Sequence, residues 1–314
     1  MEHVDLLIRD CQILTMDADD RVLQRGLVAV DHGCIVHVGS NDAGYAASTE
    51  IDERRKLLMP GLINAHTHIP MTLFRGLAED IPLNAWLENV IWPREAKLKP
   101  EDVYAGALLG CAELIKTGTT CFNDMYFFMD QVAEAVAKSG LRAVLAEGMI
   151  ELGDPEKGQE VLHKSETFAK NYDRFAEGRV RTRLGPHSEY SCSPEFLREV
   201  KDRAESLGVG IHMHLAESKP YADSVAAKLG KSATTQLEEI GFLDDQLIVA
   251  HCIHVDKEEM NILARHQVGV AHCPVSNMKV ALGIAKIVDM VDRGIPVGIG
   301  TDGPASNNHV DMLK

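Results

Sequence analysis

The chain lacks the features that would place it on a membrane or on a nucleic acid. No stretch reaches the roughly eighteen consecutive apolar residues that a bilayer span requires, and the opening MEHVDLLIRDC has no basic region followed by a long apolar run. Basic residues are scarce relative to acidic ones, 32 Lys and Arg against 47 Asp and Glu. The resulting net charge of −15 repels phosphate backbones and anionic lipid headgroups. These shortages argue against a nucleic acid polymer or a membrane as partner, and for the cytoplasm as location.

The seven cysteines include no CxxC pair, which argues against a disulfide framework or a thiolate zinc site. Cys111, Cys121, Cys192, Cys252 and Cys273 stand in apolar or strand-like surroundings and read as buried free thiols. No low-complexity tract interrupts the chain. No glycine-rich phosphate loop follows the early strands, which weighs against an open doubly wound sheet.

What is present suits a large folded core: 314 residues, 45% hydrophobic and 25% charged. Residues 4 to 38 alternate short β-rich runs with turn residues such as Asp31, His32 and Gly33, the pattern of a small antiparallel sheet. From about residue 57 an apolar strand followed by an amphipathic helix recurs. Strands are predicted at LLMPGLINAHTH, TTCFNDM, RAVLAEGM, RVRTRLGPHS, VGIHMHLAE, LIVAHCIH, VGVAHCPVSN and IPVGIGTDG, with helices such as EDVYAGALLGCAELIKTG and SPEFLREVKDRAESLG between them. Eight such units predict an α/β fold, a (β/α)8 TIM-like barrel with its active site at the carboxyl ends of the strands. The expected domains are residues 1–57, half of a small β-sandwich, and 58–314, the barrel. Because the chain stops at Lys314, soon after TDG, and the small sheet has no later strands to pair with, the sequence is expected to be truncated at its C-terminus.

The polar residues at the strand ends carry the chemistry. His66 and His68 are two apart, so in an extended strand both imidazoles point to one face and can reach one metal. His187, His214, Glu217, His251 and Asp302 fall at the same pole of other strands. A strand buried on both faces has little reason to end in an ionisable group, since burying it unpaired costs several kcal/mol. Imidazoles and a carboxylate without thiolates suit a borderline cation such as Zn²⁺. By spacing alone His212 is as good a ligand as His214.

These residues resemble the amidohydrolase superfamily, and within it the family that deaminates S-adenosylhomocysteine, 5′-methylthioadenosine and 5′-deoxyadenosine. The motifs are PGLINAHTH at 60–68, GPHSEYSCS at 185–193, HMHLAES at 212–218, VAHCIHVD at 249–256 and GIGTDG at 298–303. The resemblance implies a C–N hydrolase with His66, His68, His214 and Asp302 as ligands of one Zn²⁺ per chain, Fe²⁺ or Mn²⁺ being alternatives. It selects His214 over His212, and no lysine stands where a carbamylated bridge for a second metal would be expected. A metal ion lowers the pKa of its water to about 7. Glu217 would then protonate the ring nitrogen, Asp302 would take the water proton and pass it to the departing amine, and His251 would orient the nucleophile.

The same resemblance implies that Glu95, in WPREAKL, accepts hydrogen bonds from the ribose hydroxyls, and that His187 contacts the purine. Some members hold the amino acid tail of S-adenosylhomocysteine with arginines between the third and fourth strands; here EGMIELGDPEKGQEVLHKSETF has none until Arg174. That departure tilts the expectation toward 5′-deoxyadenosine or 5′-methylthioadenosine. A nucleoside partner and a homo-oligomer, dimer or tetramer, are expected. The rival readings are another amidohydrolase, such as a guanine or cytosine deaminase or a triazine hydrolase, and a catalytically silent metal-binding scaffold.

Overall fold

The computed structural model describes residues 2–41, 44–77 and 81–314, and it divides into two compact units, Met1–Gly61 and Leu62–Lys314. In the first unit β1 (Glu2–Leu14), β2 (Val22–Asp31) and β3 (Cys34–Ser40) form the antiparallel meander that the alternating pattern predicts. The sheet extends past residue 38, however. β4 (Tyr45–Asp52) and β5 (Leu57–Leu58) both pair parallel to β1, and β4 is mostly exposed, so it lacks the apolar alternation by which a strand is recognised.

The second unit holds one sheet of eight parallel strands in sequential order: β6 (Leu62–Thr67), β7 (Thr119–Tyr126), β8 (Arg142–Met149), β9 (Val180–Pro186), β10 (Gly210–Leu215), β11 (Leu247–His251), β12 (Gly269–His272) and β13 (Val297–Ile299). All eight strands lie where the apolar runs place them. Helices follow the strands, and their ends obey local rules: Ser193 caps the helix Pro194–Leu207 by accepting the Phe196 N–H, and Gly208 ends it with φ 67°. Apolar side chains fill the space between strands and helices, in one cluster around Phe122, Val136 and Leu145 and another around Leu184, Val200 and Val249. Cys111, Cys192, Cys252 and Cys273 are buried free thiols as expected, while Cys121 is only half-buried. Among the described residues no helix is long and apolar enough to cross a membrane.

Two contacts bring the first and last strands together. The Asp302 N–H donates to the His66 carbonyl at 3.0 Å, and Gly300 lies so close that an added Cβ would sit 2.8 Å from that same oxygen. Glycine is what lets the last strand reach the first.

The turn after His68 is fixed by a second close approach. Gly106 and Gly110, four apart on the helix Pro100–Lys116, present a bare face to the short 3-10 helix Ile69–Phe74. The Thr72 hydroxyl donates to the Gly106 carbonyl at 2.8 Å, and the Ile69 N–H donates to Asp124 Oδ1 at 2.9 Å. Alanine ordinarily stabilises a helix interior by roughly 1 kcal/mol over glycine. At Gly106 its Cβ would lie 2.6 Å from the Pro70 carbonyl oxygen, so Gly106→Ala is expected to lower stability by about 1–3 kcal/mol in a denaturant titration. An alanine variant more stable than the parent would show that this packing does not fix the turn.

Candidate metal and catalytic site

The carboxyl ends of β6, β10, β11 and β13 converge. One ring nitrogen from each of His66, His68 and His214 lies within 4.8 Å of the others, and the same holds for the donor atoms of His66, His251 and Asp302. His68 Nε2 and His214 Nε2 are 3.3 Å apart, and Asp302 Oδ1 lies 3.4 Å from His66 Nε2 and 3.3 Å from His68 Nε2.

The outward nitrogens explain why the inward ones are free. His68 Nδ1 faces the Met125 carbonyl, and His214 Nδ1 faces the His187 carbonyl at 2.6 Å. A carbonyl only accepts, so each Nδ1 carries a proton and each Nε2 is turned toward the cluster. His66 Nδ1 meets His212 Nε2 at 2.8 Å, while His66 Nε2 is buried with no hydrogen-bond partner. His212 thus stands behind His66, its ring turned to hold a neighbour rather than to join the three converging nitrogens.

Several of these positions have backbones that non-glycine residues rarely adopt. Ala216, His251, Cys252 and Asp302 have φ of 48°, 74°, 47° and 60°. Each such conformation costs on the order of 1–3 kcal/mol and persists only where the surroundings enforce it. Here they do: the Ala216 carbonyl accepts the N–H groups of Ile253 and His254, and the Ala216 N–H donates to Glu189 Oε1 at 3.0 Å.

The charges are poised by burial and proximity. Burial opposes protonation of His68, but the adjacent Asp302 carboxylate, with the Met125 carbonyl and Asp124, lifts its pKa to about 9. Burial pushes His66 down to about 4. Burial raises the Glu217 carboxyl above its usual range, with nearby His251 opposing the rise. Asp302 is held well below the carboxylate range against its burial by His66 and His68. Three inward imidazole nitrogens around one low-pKa carboxylate fit a divalent cation, which would take the place of the proton on His68.

A cavity opens over this cluster. His68, His187, His214, Glu217 and Asp302 line its floor, and Glu95 stands in its wall. Burial raises the Glu95 carboxyl, opposed by the Tyr126 hydroxyl and the charge of His68. Burial pushes His187 down to about 3, so it is neutral at physiological pH, with its Nδ1 3.1 Å from Ser188 Oγ. His251 is buried behind the floor, its Nε2 3.6 Å from Glu217 Oε1. Sequence reasoning missed the apolar wall of Leu83, Trp86, Leu87 and Ile91, although their spacing of three, four and eight residues is a helical stripe. It also missed Tyr126 and Tyr190, which no periodic signal marks. The helix carrying Glu95 widens to a π-turn at Leu87–Ile91, just before Pro93, which has no N–H to continue the ladder.

A parallel eight-stranded barrel with three imidazoles and a carboxylate at its carboxyl pole defines a hydrolase of the metal-dependent barrel class. The chain belongs to the amidohydrolase family, whose model matches residues 57–314. It is 45% identical over 310 residues to a 5′-deoxyadenosine deaminase of Methanosarcina acetivorans, covering 99% of this chain and 72% of that protein. It is 44% identical over 309 residues to a 5-methylthioadenosine/S-adenosylhomocysteine deaminase of Dictyoglomus thermophilum, covering 98% and 71%. A zinc-bound adenosine deaminase from Xanthomonas campestris has a similar structure, with a TM-score of 0.90, 33% identity, and coverage of 99% of this chain and 72% of that one.

His66→Ala is expected to abolish retention of a divalent cation after dialysis. His212→Ala should keep the cation but bind it roughly 10- to 100-fold more weakly in competition with a chelator. Retention by His66→Ala as tight as the parent's would place the metal elsewhere.

Proposed function

We propose that the chain is a zinc-dependent deaminase of adenine nucleosides, converting 5′-deoxyadenosine, 5′-methylthioadenosine, S-adenosylhomocysteine or adenosine to the inosine analogue and ammonia. The observation that carries this reading is the pairing, across one cavity, of the His66, His68, His214 and Asp302 cluster with two carboxyl groups whose burial holds their pKa up, Glu217 and Glu95. The named relatives support the reaction class. His66, His68, His214 and Asp302 would hold one Zn²⁺, which when bound supplies an activated water.

The reaction adds water across the ring C–N bond, and each proton needs a keeper. Glu217, its carboxyl pushed above its usual range by burial, donates a proton to the ring nitrogen next to the amino-bearing carbon as the water oxygen bonds to that carbon. Asp302 takes the proton that the water loses and returns it to the amino nitrogen; as the exocyclic C–N bond breaks and neutral ammonia leaves, the remaining hydroxyl proton passes to the Glu217 carboxylate, which restores its carboxyl and leaves a ring carbonyl. His251 Nε2 orients the attacking water. Glu95 accepts the ribose hydroxyls, and neutral His187 contacts the purine.

No lysine or arginine is among the described residues lining the cavity, whose upper wall is Leu83, Trp86, Leu87, Ile91, Phe127 and Ile150. An apolar wall without a cation favours an uncharged 5′ substituent, and so 5′-deoxyadenosine or 5′-methylthioadenosine over a substrate with an amino acid tail.

Metal-loaded protein is expected to release ammonia from 5′-deoxyadenosine with loss of the adenosine ultraviolet absorbance; a metal-replete sample that deaminates no adenine nucleoside rejects the reading. Glu217→Gln should keep the metal and lose about 10²- to 10⁴-fold in kcat. Glu95→Ala should raise KM for nucleosides while leaving any turnover of free bases unchanged. If both substrate types respond alike, a free-base amidohydrolase is the better reading.

A further inference from the structure

Two consecutive buried residues outside the roles above touch two of the side chains assigned to the reaction, Asp302 and His251. The six-residue helix Pro274–Lys279 follows β12, and Ser276 and Asn277 on it are almost fully buried. Ser276 Oγ donates to Asp302 Oδ2 at 2.5 Å, and Asn277 Oδ1 lies 2.9 Å from His251 Nδ1. The sheet order explains how one dipeptide reaches two targets. β12 lies between β11, which ends in His251, and β13, which leads to Asp302, so an element leaving β12 is flanked by both. Successive helical side chains diverge by roughly 100°. Residue 276 therefore faces one neighbour and residue 277 the other.

Each contact selects one state of its partner. The Ser306 hydroxyl also donates to Asp302 Oδ2, at 2.8 Å, so two hydroxyls occupy that oxygen and turn Oδ1 toward His66 and His68. Against an amide oxygen, His251 must carry its proton on Nδ1. Its Nε2, buried without a hydrogen-bond partner, is then a lone pair able to accept from a water. With the tautomer reversed, Nε2 would present a proton and compete with the water's own hydrogens.

We infer that Ser276 and Asn277 are positioning residues for the reaction: Ser276 fixes the Asp302 carboxylate, and Asn277 fixes the Nδ1–H tautomer of His251. The kinetic part rests on the deaminase reading; the tautomer does not. The test is the nitrogen NMR spectrum of the full chain labelled with [15N]histidine, His251 being assigned from the spectrum of His251→Gln, together with steady-state kinetics. In the parent, His251 is expected to carry its proton on Nδ1. Asn277→Leu, which offers no acceptor, should lose that preference. Asn277→Leu and Ser276→Ala should each lower kcat about 10- to 100-fold, with KM within about twofold and metal content unchanged. Asn277→Asp, which keeps an oxygen at the same place, should restore the tautomer and most of kcat.

A parent His251 protonated on Nε2 overturns the inference, as does wild-type kcat in Asn277→Leu and Ser276→Ala. So does a loss of activity that tracks loss of metal or of melting temperature, which marks structural support only. If Asn277→Leu does not fold, the parent spectrum and Asn277→Asp still decide. Absence of turnover by the metal-loaded parent sinks the deaminase reading and leaves the tautomer to be read from the spectrum.

Discussion

A buried imidazole nitrogen without a hydrogen-bond partner is costly, and His66 Nε2 and His251 Nε2 are among the described atoms of this kind, together at one pole of the barrel. The inward nitrogens of His68 and His214 lie 3.3 Å apart beside the Asp302 carboxylate. Nitrogens and a carboxylate oxygen crowded this way need a positive charge among them, a proton or a cation. Much of the surrounding structure serves to keep those nitrogens pointing inward: the carbonyls behind His68 and His214, the ring of His212 behind His66, and the amide of Asn277 behind His251. A divalent cation held among these side chains would be a Lewis acid at the floor of a cavity.

The barrel makes the crowding affordable. Parallel pairing carries each strand's end to the same pole, and the ladder between β10 and β11 pairs Leu215 with His251, which brings His214 and His251 onto neighbouring strands one residue apart in register. The residues that turn away from the strands there adopt left-handed backbones at Ala216, His251 and Asp302. These are held by hydrogen bonds from adjacent loops rather than by their own preference.

The sequence made much of this legible for a physical reason. Strands buried on both faces read as apolar runs, so the eight of them stood out, and ionisable groups at their ends stood out against that background. HxH at residues 66–68 and HMH at 212–214 both announce two side chains on one face of a strand, but the pattern cannot say which ring turns inward. That depends on what lies behind each ring: a carbonyl behind His214, and His66 itself beside His212. Ser276, Asn277 and Tyr126 were invisible because their importance comes from strand order and loop packing, not from any local period. The exposed β4 was missed for the complementary reason, since a strand without an apolar face leaves no alternation to read.

The shared cation is most directly tested by anomalous diffraction at the zinc edge from crystals of the zinc-loaded protein. The expected map has one strong peak in the second unit, within about 2.0–2.2 Å of His66 Nε2, His68 Nε2, His214 Nε2 and an oxygen of Asp302. Two peaks, or a single peak bound through His212 or cysteine with these four side chains left apart, would contradict it.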